Sequence, residues 1–288
     1  MRKGGAAVAG SVLWIGGPPG AGKTTMARLL ARRYGLRRYH ADVHTWEHRD
    51  RALAAGHAAA ARWERLTPDE RWSRPPDELL AMSLHHERGP MVAADLRALP
   101  GTPGTVAEGT PVTPGVAGAG DHSLWLMPTP EVQRARLAER GIAPGVAALY
   151  RLLLEEIEAE VADAGARTLA VDGTRSVADT FAEVEKLFAA ALATGSPAAS
   201  GAERARLERY ANRAVVRQHA AYFARPWTAG DLASTVRSFA CECGRAACEA
   251  EVPLALADFP GAPDGAAPDC DEPACPPVLA AGHPAPEE

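Results

Sequence analysis

Short apolar runs and longer stretches of helical spacing alternate along most of this chain. Residues 12–15 form an apolar run without alternation, the pattern of a strand buried on both faces. A glycine-rich segment follows, then a helix over about 24–34. Residues 37–41 read as a second strand. The segment 45–87 is helical but polar, with breaks at Thr67-Pro68 and Pro75-Pro76, since proline removes a donor and keeps the preceding residue out of helical angles. Residues 91–98 continue as helix and stop at Pro100. Strands are expected at 105–108, 123–127 and 168–171, and helices at 131–140, 147–164 and 177–193. Strand alternating with helix predicts an α/β fold with a mostly parallel sheet.

The pattern changes at 194–201 (TGSPAASG), a linker by residue type. A helical stretch over 202–223 comes next, with Leu207, Ala211, Ala214, Val215 and Phe223 partly in helical spacing. The chain then turns cysteine-rich, and 259–277 has no periodicity. The expected organisation is a first domain over 1–195, a linker and connecting helix over 196–224, and a Cys-rich module over 225–288.

Composition narrows the classes. Hydrophobic residues are 47% of the chain, which excludes a disordered polymer, and the net charge of −5 argues against a nucleic-acid binder. No apolar run is long enough to span a membrane. Arg2 and Lys3 before the mild apolar run 6–15 mimic a signal peptide, but the run leads straight into a glycine-rich loop and a helix, so a cytoplasmic protein is expected. The cation count changes the picture most. Only Lys3, Lys23 and Lys186 are lysines, and arginine supplies the rest.

Lys23 falls in GPPGAGKT, where Gly17, Pro18, Pro19, Gly20, Ala21, Gly22, Lys23, Thr24 and then Thr25 form a phosphate-loop pattern. Glycines let successive amide N–H groups face phosphate oxygens, and the following helix adds its positive end. Lys23 would reach the β- and γ-phosphates of ATP, and the Thr24 hydroxyl would ligate Mg2+. A compact ammonium fits inside such a loop where a planar guanidinium does not.

Other candidates follow the later strands, since ligands in open α/β sheets sit beyond the carboxyl ends. Asp42 could take the proton of a substrate hydroxyl or hold magnesium through water, or could serve as a helix cap. Glu108, before Gly109 and Thr110, stands where a second magnesium-side carboxylate would be expected, or is a turn residue. Arg134, Arg136 and Arg140 fall on the helix after the fourth strand, where they either neutralise phosphate charge from a lid or are ordinary charges on an exposed helix. Arg175 either stacks on a base or faces solvent. His40, His44 and His48 would form one stripe if all were helical, but a strand ending near Ala41 breaks it. Trp46, Trp63 and Trp72 either pack the helices or stack on a flat substrate.

Together these residues resemble the small P-loop kinases of the nucleoside monophosphate kinase superfamily, nearer to the gluconate, shikimate and chloramphenicol kinase branch. The phrases HADVHTWEHRDRA, VAEGTPVTP and LWLMPTPEVQ look like an actinobacterial-type group of such proteins. The resemblance covers about residues 11–193. It implies a three-layer P-loop NTPase fold with five parallel strands, ATP with Mg2+, and phosphoryl transfer to a small hydroxyl compound. Lys23, Asp42, Arg136 and Arg140 become the catalytic candidates. The pattern is departed from in ALYRLLLEEIEAE, where acids replace the lid arginines. That departure motivates a second reading, an ATP-binding regulator whose C-terminal module binds a protein partner.

All five cysteines lie between Cys241 and Cys275. An odd, clustered set reads as metal binding before disulfides. Cys241, Cys243 and Cys248 form a compact knuckle that can present three thiolates to Zn2+. The fourth ligand is His283, with Cys270 or Cys275 as alternatives. The stretch resembles a small C-terminal module with CxCG…C followed by PGH, here AAGH.

Overall fold

A computed structural model describes residues 12–261 and 275–286. Strand β1 (Val12–Gly16) leads through the glycine-rich loop into α1 (Lys23–Tyr34), which stops at a left-handed Gly35. Strand β2 (Arg37–His40) is followed by a 3-10 turn over Ala41–His44 and helices α2 (Thr45–Ala54), α3 (Ala58–Arg65), α4 (Pro68–Trp72), α5 (Pro76–Met82) and α6 (His85–Ala98). Then come β3 (Thr105–Glu108), α7 (Pro114–Ala117), β4 (Ser123–Pro128), α8 (Pro130–Glu139), α9 (Pro144–Asp163), β5 (Thr168–Val171) and α10 (Val177–Ala193). The C-terminal part holds α11 (Gly201–Phe223), β6 (Val236–Ala240) and β7 (Glu251–Ala255).

Among the described residues, five strands form one parallel sheet in the order β2-β3-β1-β4-β5. Side chains alternate across it, as pleating requires. Leu13, Ile15, Leu124 and Leu126 face Met26 and Leu30 of α1 and Val184 and Phe188 of α10. Val12 and Trp14 face Val92 and Leu96 of α6, while Trp125 packs on Ile157 and Val161 of α9. The result is the expected three-layer α/β P-loop-kinase-like fold. The topological reversal lies between β1 and β3, with β1 at the centre. The phosphate loop therefore opens at the carboxyl edge, where ligands bind.

Helices α2 to α5 and the start of α9 form a cap over that edge. Its core is Trp63, Leu79, Met82, Leu149 and Leu153, with Trp46, Trp72 and Trp227 packed against it. Arg71 is almost fully buried between Trp63 and Trp227, its guanidinium carbon 4.3 and 4.1 Å from the two ring centroids. Among the described residues no helix is long and apolar enough to cross a membrane.

Three features differ from the sequence expectation. Helix α6 begins at His85 and carries Pro90 inside it, so it runs unbroken through 88–90, between the two helical stretches expected from sequence. The linker type at 194–201 is tied down, because Gly104 N donates to Ser196 O at 2.8 Å and Ala198 N to Gly35 O at 2.8 Å. Helix α11 packs along β2, α2 and the 3-10 turn. It also fixes the antiparallel pair β6–β7: Asn212 exchanges hydrogen bonds with Ala240 N and O, at 3.0 and 2.9 Å. Strand β7 contains Pro253, opposite Ser238. A two-stranded ribbon is all edge, so it tolerates the missing donor.

Candidate active site

The loop from Gly17 to Lys23 wraps the start of α1. Gly17 has φ +130°, and a β-carbon there would lie 2.3 Å from the Leu126 carbonyl oxygen. Only glycine lets the loop pass this close to β4. Lys23 is 5% exposed and donates from Nζ to the Pro18 carbonyl at 2.9 Å. Burial lowers its pKa, helped by Arg140 and opposed by Asp42 and Glu108.

Thr24 Oγ1 donates to Glu108 Oε2 at 3.3 Å. Glu108 is wholly buried at the end of β3. Its Oε1 has no hydrogen-bond partner and lies 3.4 Å from His40 Nε2. A buried carboxylate oxygen facing the phosphate-loop hydroxyl is the donor set a hard cation needs. Hydroxyl and carboxylate oxygens suit Mg2+, so Thr24 and Glu108 fit that ion.

Asp42 sits in the 3-10 turn after β2. It accepts from Thr110 N at 3.2 Å and from Thr110 Oγ1 at 3.3 Å. This approach needs Gly109, whose φ is +149° and whose added β-carbon would lie 2.7 Å from Ala41 Cβ. Arg88 Nη1 is 3.9 Å from Asp42 Oδ1. Burial pushes the Asp42 pKa up, but Lys23, Arg88, His40 and the Thr110 amide outweigh it and hold the group ionised. Arg88 is in turn fixed by the Ala41 carbonyl at 2.6 Å and by His48 Nδ1 at 3.3 Å. Because Arg88 donates to Nδ1, the His48 proton is on Nε2, which faces Asp95 Oδ2 at 2.9 Å.

A cavity of about 580 Å³ joins these groups. It is lined by Lys23, Thr24, Asp42 and Arg140 and by Trp46, Arg49, Trp63, Trp72 and Tyr150. Arg49 is buried under the Trp63 ring, 4.6 Å from its centroid, with Nε and Nη1 unpartnered, and burial lowers its pKa to about 9. A second cavity of about 250 Å³ adjoins the outer side of the loop and is lined by Ala21, Gly22, Thr25, Arg136, Arg140 and Arg175.

The site residues named from sequence divide cleanly. Pro19 to Thr25, Asp42 and Arg140 line the two cavities, whereas Gly17 and Pro18 only lead the loop in and Glu108 meets the site through Thr24. Arg136 donates to the Gly20 carbonyl at 2.8 Å and so braces the loop. Arg175 lines the second cavity and donates to the Ala170 carbonyl at 3.1 Å. Arg134 points outward, 3.6 Å from Glu131 on an exposed face. The three tryptophans both pack the helices and wall the cavity. The histidine stripe is broken as expected: His44 stacks on Tyr39 at 4.7 Å, and His48 is buried against Asp95.

Sequence reasoning missed Arg88, Gln133 and Gln218. Gln133 donates to the Pro19 and Tyr150 carbonyls, each at 3.1 Å, joining α8 to the loop and α9. These residues carry no local motif, and only the fold brings them to the site.

On the far side of α1 the ligand atoms of Cys241, Cys243, Cys248 and His283 lie within 4.8 Å of one another. His283 Nδ1 is 3.3 Å from Cys241 Sγ and 3.6 Å from Cys248 Sγ. Ala280 N lies 3.4 Å from Cys241 Sγ. Burial and the neighbouring Cys243 and Cys241 sulfurs push the Cys248 thiol up to about 11. Four crowded soft donors of this kind match a tetrahedral Zn2+ set. Cys275 is not part of the cluster, and Cys270 lies outside the described residues.

Strand order, loop and following helix define a P-loop-kinase-like fold. Similar solved structures include a sugar kinase from Janibacter sp. HTCC2649 (20% identity, 65% of this chain and 99% of that one, TM-score 0.38). A shikimate kinase from Acinetobacter baumannii is 17% identical over 64% of this chain and 95% of its own, with TM-score 0.39. A deoxyadenosine kinase from M. mycoides is 11% identical over 62% and 99%, with TM-score 0.42. No family model and no curated protein matches the chain.

Proposed function

We propose that the protein is an ATP-dependent phosphotransferase acting on a hydroxyl of a small molecule. The observation that carries this reading is that Lys23, Thr24 and Asp42 line one cavity together with aromatic side chains, with Glu108 hydrogen-bonded to Thr24 behind them. Gly17 to Lys23 would cradle the phosphates of ATP with backbone N–H groups, and Lys23 would neutralise the β- and γ-phosphates. Thr24 and Glu108 would hold Mg2+, which supplies charge neutralisation at the phosphate oxygens when bound.

Asp42, held ionised by its surroundings, accepts the acceptor's hydroxyl proton as that oxygen attacks the γ-phosphorus. The bond to the bridging oxygen breaks and ADP leaves. Arg140 faces the same space, and Arg136 keeps the loop in shape. The second cavity, with Arg175, is where the base would lie. The C-terminal cluster would hold Zn2+ in a structural role, because a module this small has little core of its own.

The test is Asp42→Asn. Nucleotide affinity is expected to stay within a few-fold, while turnover over a panel of sugars, nucleosides and hydroxy acids falls by roughly 10²–10⁴. Tight nucleotide binding by the wild type without turnover on any alcohol would overturn the phosphotransferase reading in favour of an ATP-binding regulator.

A further inference from the structure

The structure assigns a second metal site, and we propose that it binds Zn2+ or a similar borderline divalent cation through His85, His86 and Glu160. It lies apart from the cysteine cluster and does not depend on the phosphotransferase reading.

The local backbone is the first observation. Leu84, immediately before α6, has φ +60° and ψ 33°, and among the described residues it is the one non-glycine residue in left-handed conformation. For a side chain of this size the conformation is strained, and it persists only where the surroundings impose it. Leu84 is 1% exposed, locked in the core formed with Ala52 and Ala60. The turn presents two consecutive histidines to α9.

The second observation is polar bookkeeping. His85 is 96% buried by its 4% exposure, and its Nε2 has no hydrogen-bond partner. Facing it at 3.6 Å is Glu160 Oε2, also buried and also without a partner. Buried polar atoms left without a partner are costly, so a facing pair that stops short of bonding points to a third body. His86 Nδ1 lies 3.2 Å from Glu160 Oε1, and its Nε2 lies 3.4 Å from Glu156 Oε1. Ligand atoms of His85, His86 and Glu160 all fall within 4.8 Å of one another.

The donor chemistry selects the ion. Two imidazoles and a carboxylate suit Zn2+ and its neighbours in the first transition row, whereas Mg2+ and Ca2+ want oxygen. Three protein ligands leave a position for water. His85 also lines the main cavity, so a bound cation would clamp α6 to α9 at the wall of that cavity. Acids on α9 that look misplaced for phosphate binding then have a use of their own.

Cobalt substitution of the full chain separates the two sites, because only thiolate ligands give an intense sulfur-to-cobalt band. Chelated protein is dialysed against Co2+ and its bound metal counted. Wild type is expected to take up two equivalents, one with that band and one without. His86→Ala, at a residue 57% exposed in its side chain and safe for folding, and Glu160→Gln should each lose the equivalent without the band and keep the other. Saturation of the wild type at one equivalent would overturn the assignment. So would retention of both equivalents in both variants, which would reduce the cluster to ion pairs.

Discussion

Gln218 Nε2 donates to the main-chain carbonyl of Asp42 across 3.4 Å, and Gln218 Oε1 accepts from Trp46 N at 3.1 Å. A residue of α11 thus ties the turn that carries the candidate base to the first turn of α2. Gln218→Ala should cost about 1–2 kcal/mol of stability, the usual range for two hydrogen bonds. It should weaken acceptor use without changing nucleotide affinity. Denaturant unfolding and nucleotide titration, compared with wild type, check both parts.

Lys23→Ala should weaken ATP binding by about 30-fold or more, since truncating a buried charge partner costs roughly 2–5 kcal/mol. Lys23→Arg should not restore it, because the planar fork has no room beside the Pro18 carbonyl. Equilibrium binding of a fluorescent ATP analogue reads both. Recovery in the arginine variant would contradict the loop geometry.

Arg71 links two tryptophan faces and donates from Nη2 to the Trp63 and Leu66 carbonyls, each at 2.9 Å. Arg71→Met keeps much of the volume but loses these contacts. A destabilisation of about 2–4 kcal/mol is expected from two stacked faces and two buried acceptors left unmade. Urea unfolding measures it, and Arg71→Lys should recover little.

Acid should destabilise the fold in two stages. Burial pushes the Asp95 carboxyl up, but hydrogen bonds from His48, Tyr39 and Arg51 outweigh it and hold its pKa well below the usual range. Burial lowers the His48 pKa, with Asp95 opposing. Both groups have folded pKa values below their unfolded ones, so both stabilise at neutral pH. The His48 contribution is lost as pH falls from about 6.5, and that of Asp95 as it falls from about 3.9. Unfolding free energies should drop in wild type from pH 7 to 3; Asp95→Asn should drop more between about pH 6.5 and 4, where His48 has lost the carboxylate that opposed its lowered pKa, and less below about pH 4.

Cys248→Ser should loosen the C-terminal module alone. Amide exchange should accelerate at β6 and β7, whose core among the described residues is Val216, Phe239, Leu256, Phe259 and Val278 with their neighbours. Protection at β1, β3 and β4 should hold. Equal protection of β6 and β7 in the variant and wild type would mean that the knuckle does not staple the module.

The parts legible in sequence are those written locally. Buried strands announce themselves as apolar runs, and the loop from Gly17 to Thr24 has a fixed spacing set by the phosphates it fits. The knuckle of Cys241, Cys243 and Cys248 is compact for the same reason, and His283 stood out as the nearest downstream nitrogen donor. The rest depends on distance in the chain. Arg88 reads as a surface cation until α6 lies under Asp42, and Gln218 is separated from Asp42 by the whole sheet. The pair β6–β7 escaped notice because Pro253 and the cysteines mask its alternation. His85 and His86 gave no signal, since their meeting with Glu160 depends on the turn at Leu84.

The packing of α11 along β2 also sets an order of events during synthesis. β2 is the outer strand of the sheet, with β3 on one side only. The helix that shields its other side is encoded far downstream, at Gly201–Phe223. While the ribosome is still making the intervening chain, that edge displays unpaired N–H and C=O groups, a template for pairing with another nascent chain. A polypeptide ending after residue 195 would keep the phosphate loop yet expose this edge permanently. It should therefore aggregate, even though every residue of its proposed nucleotide site is present.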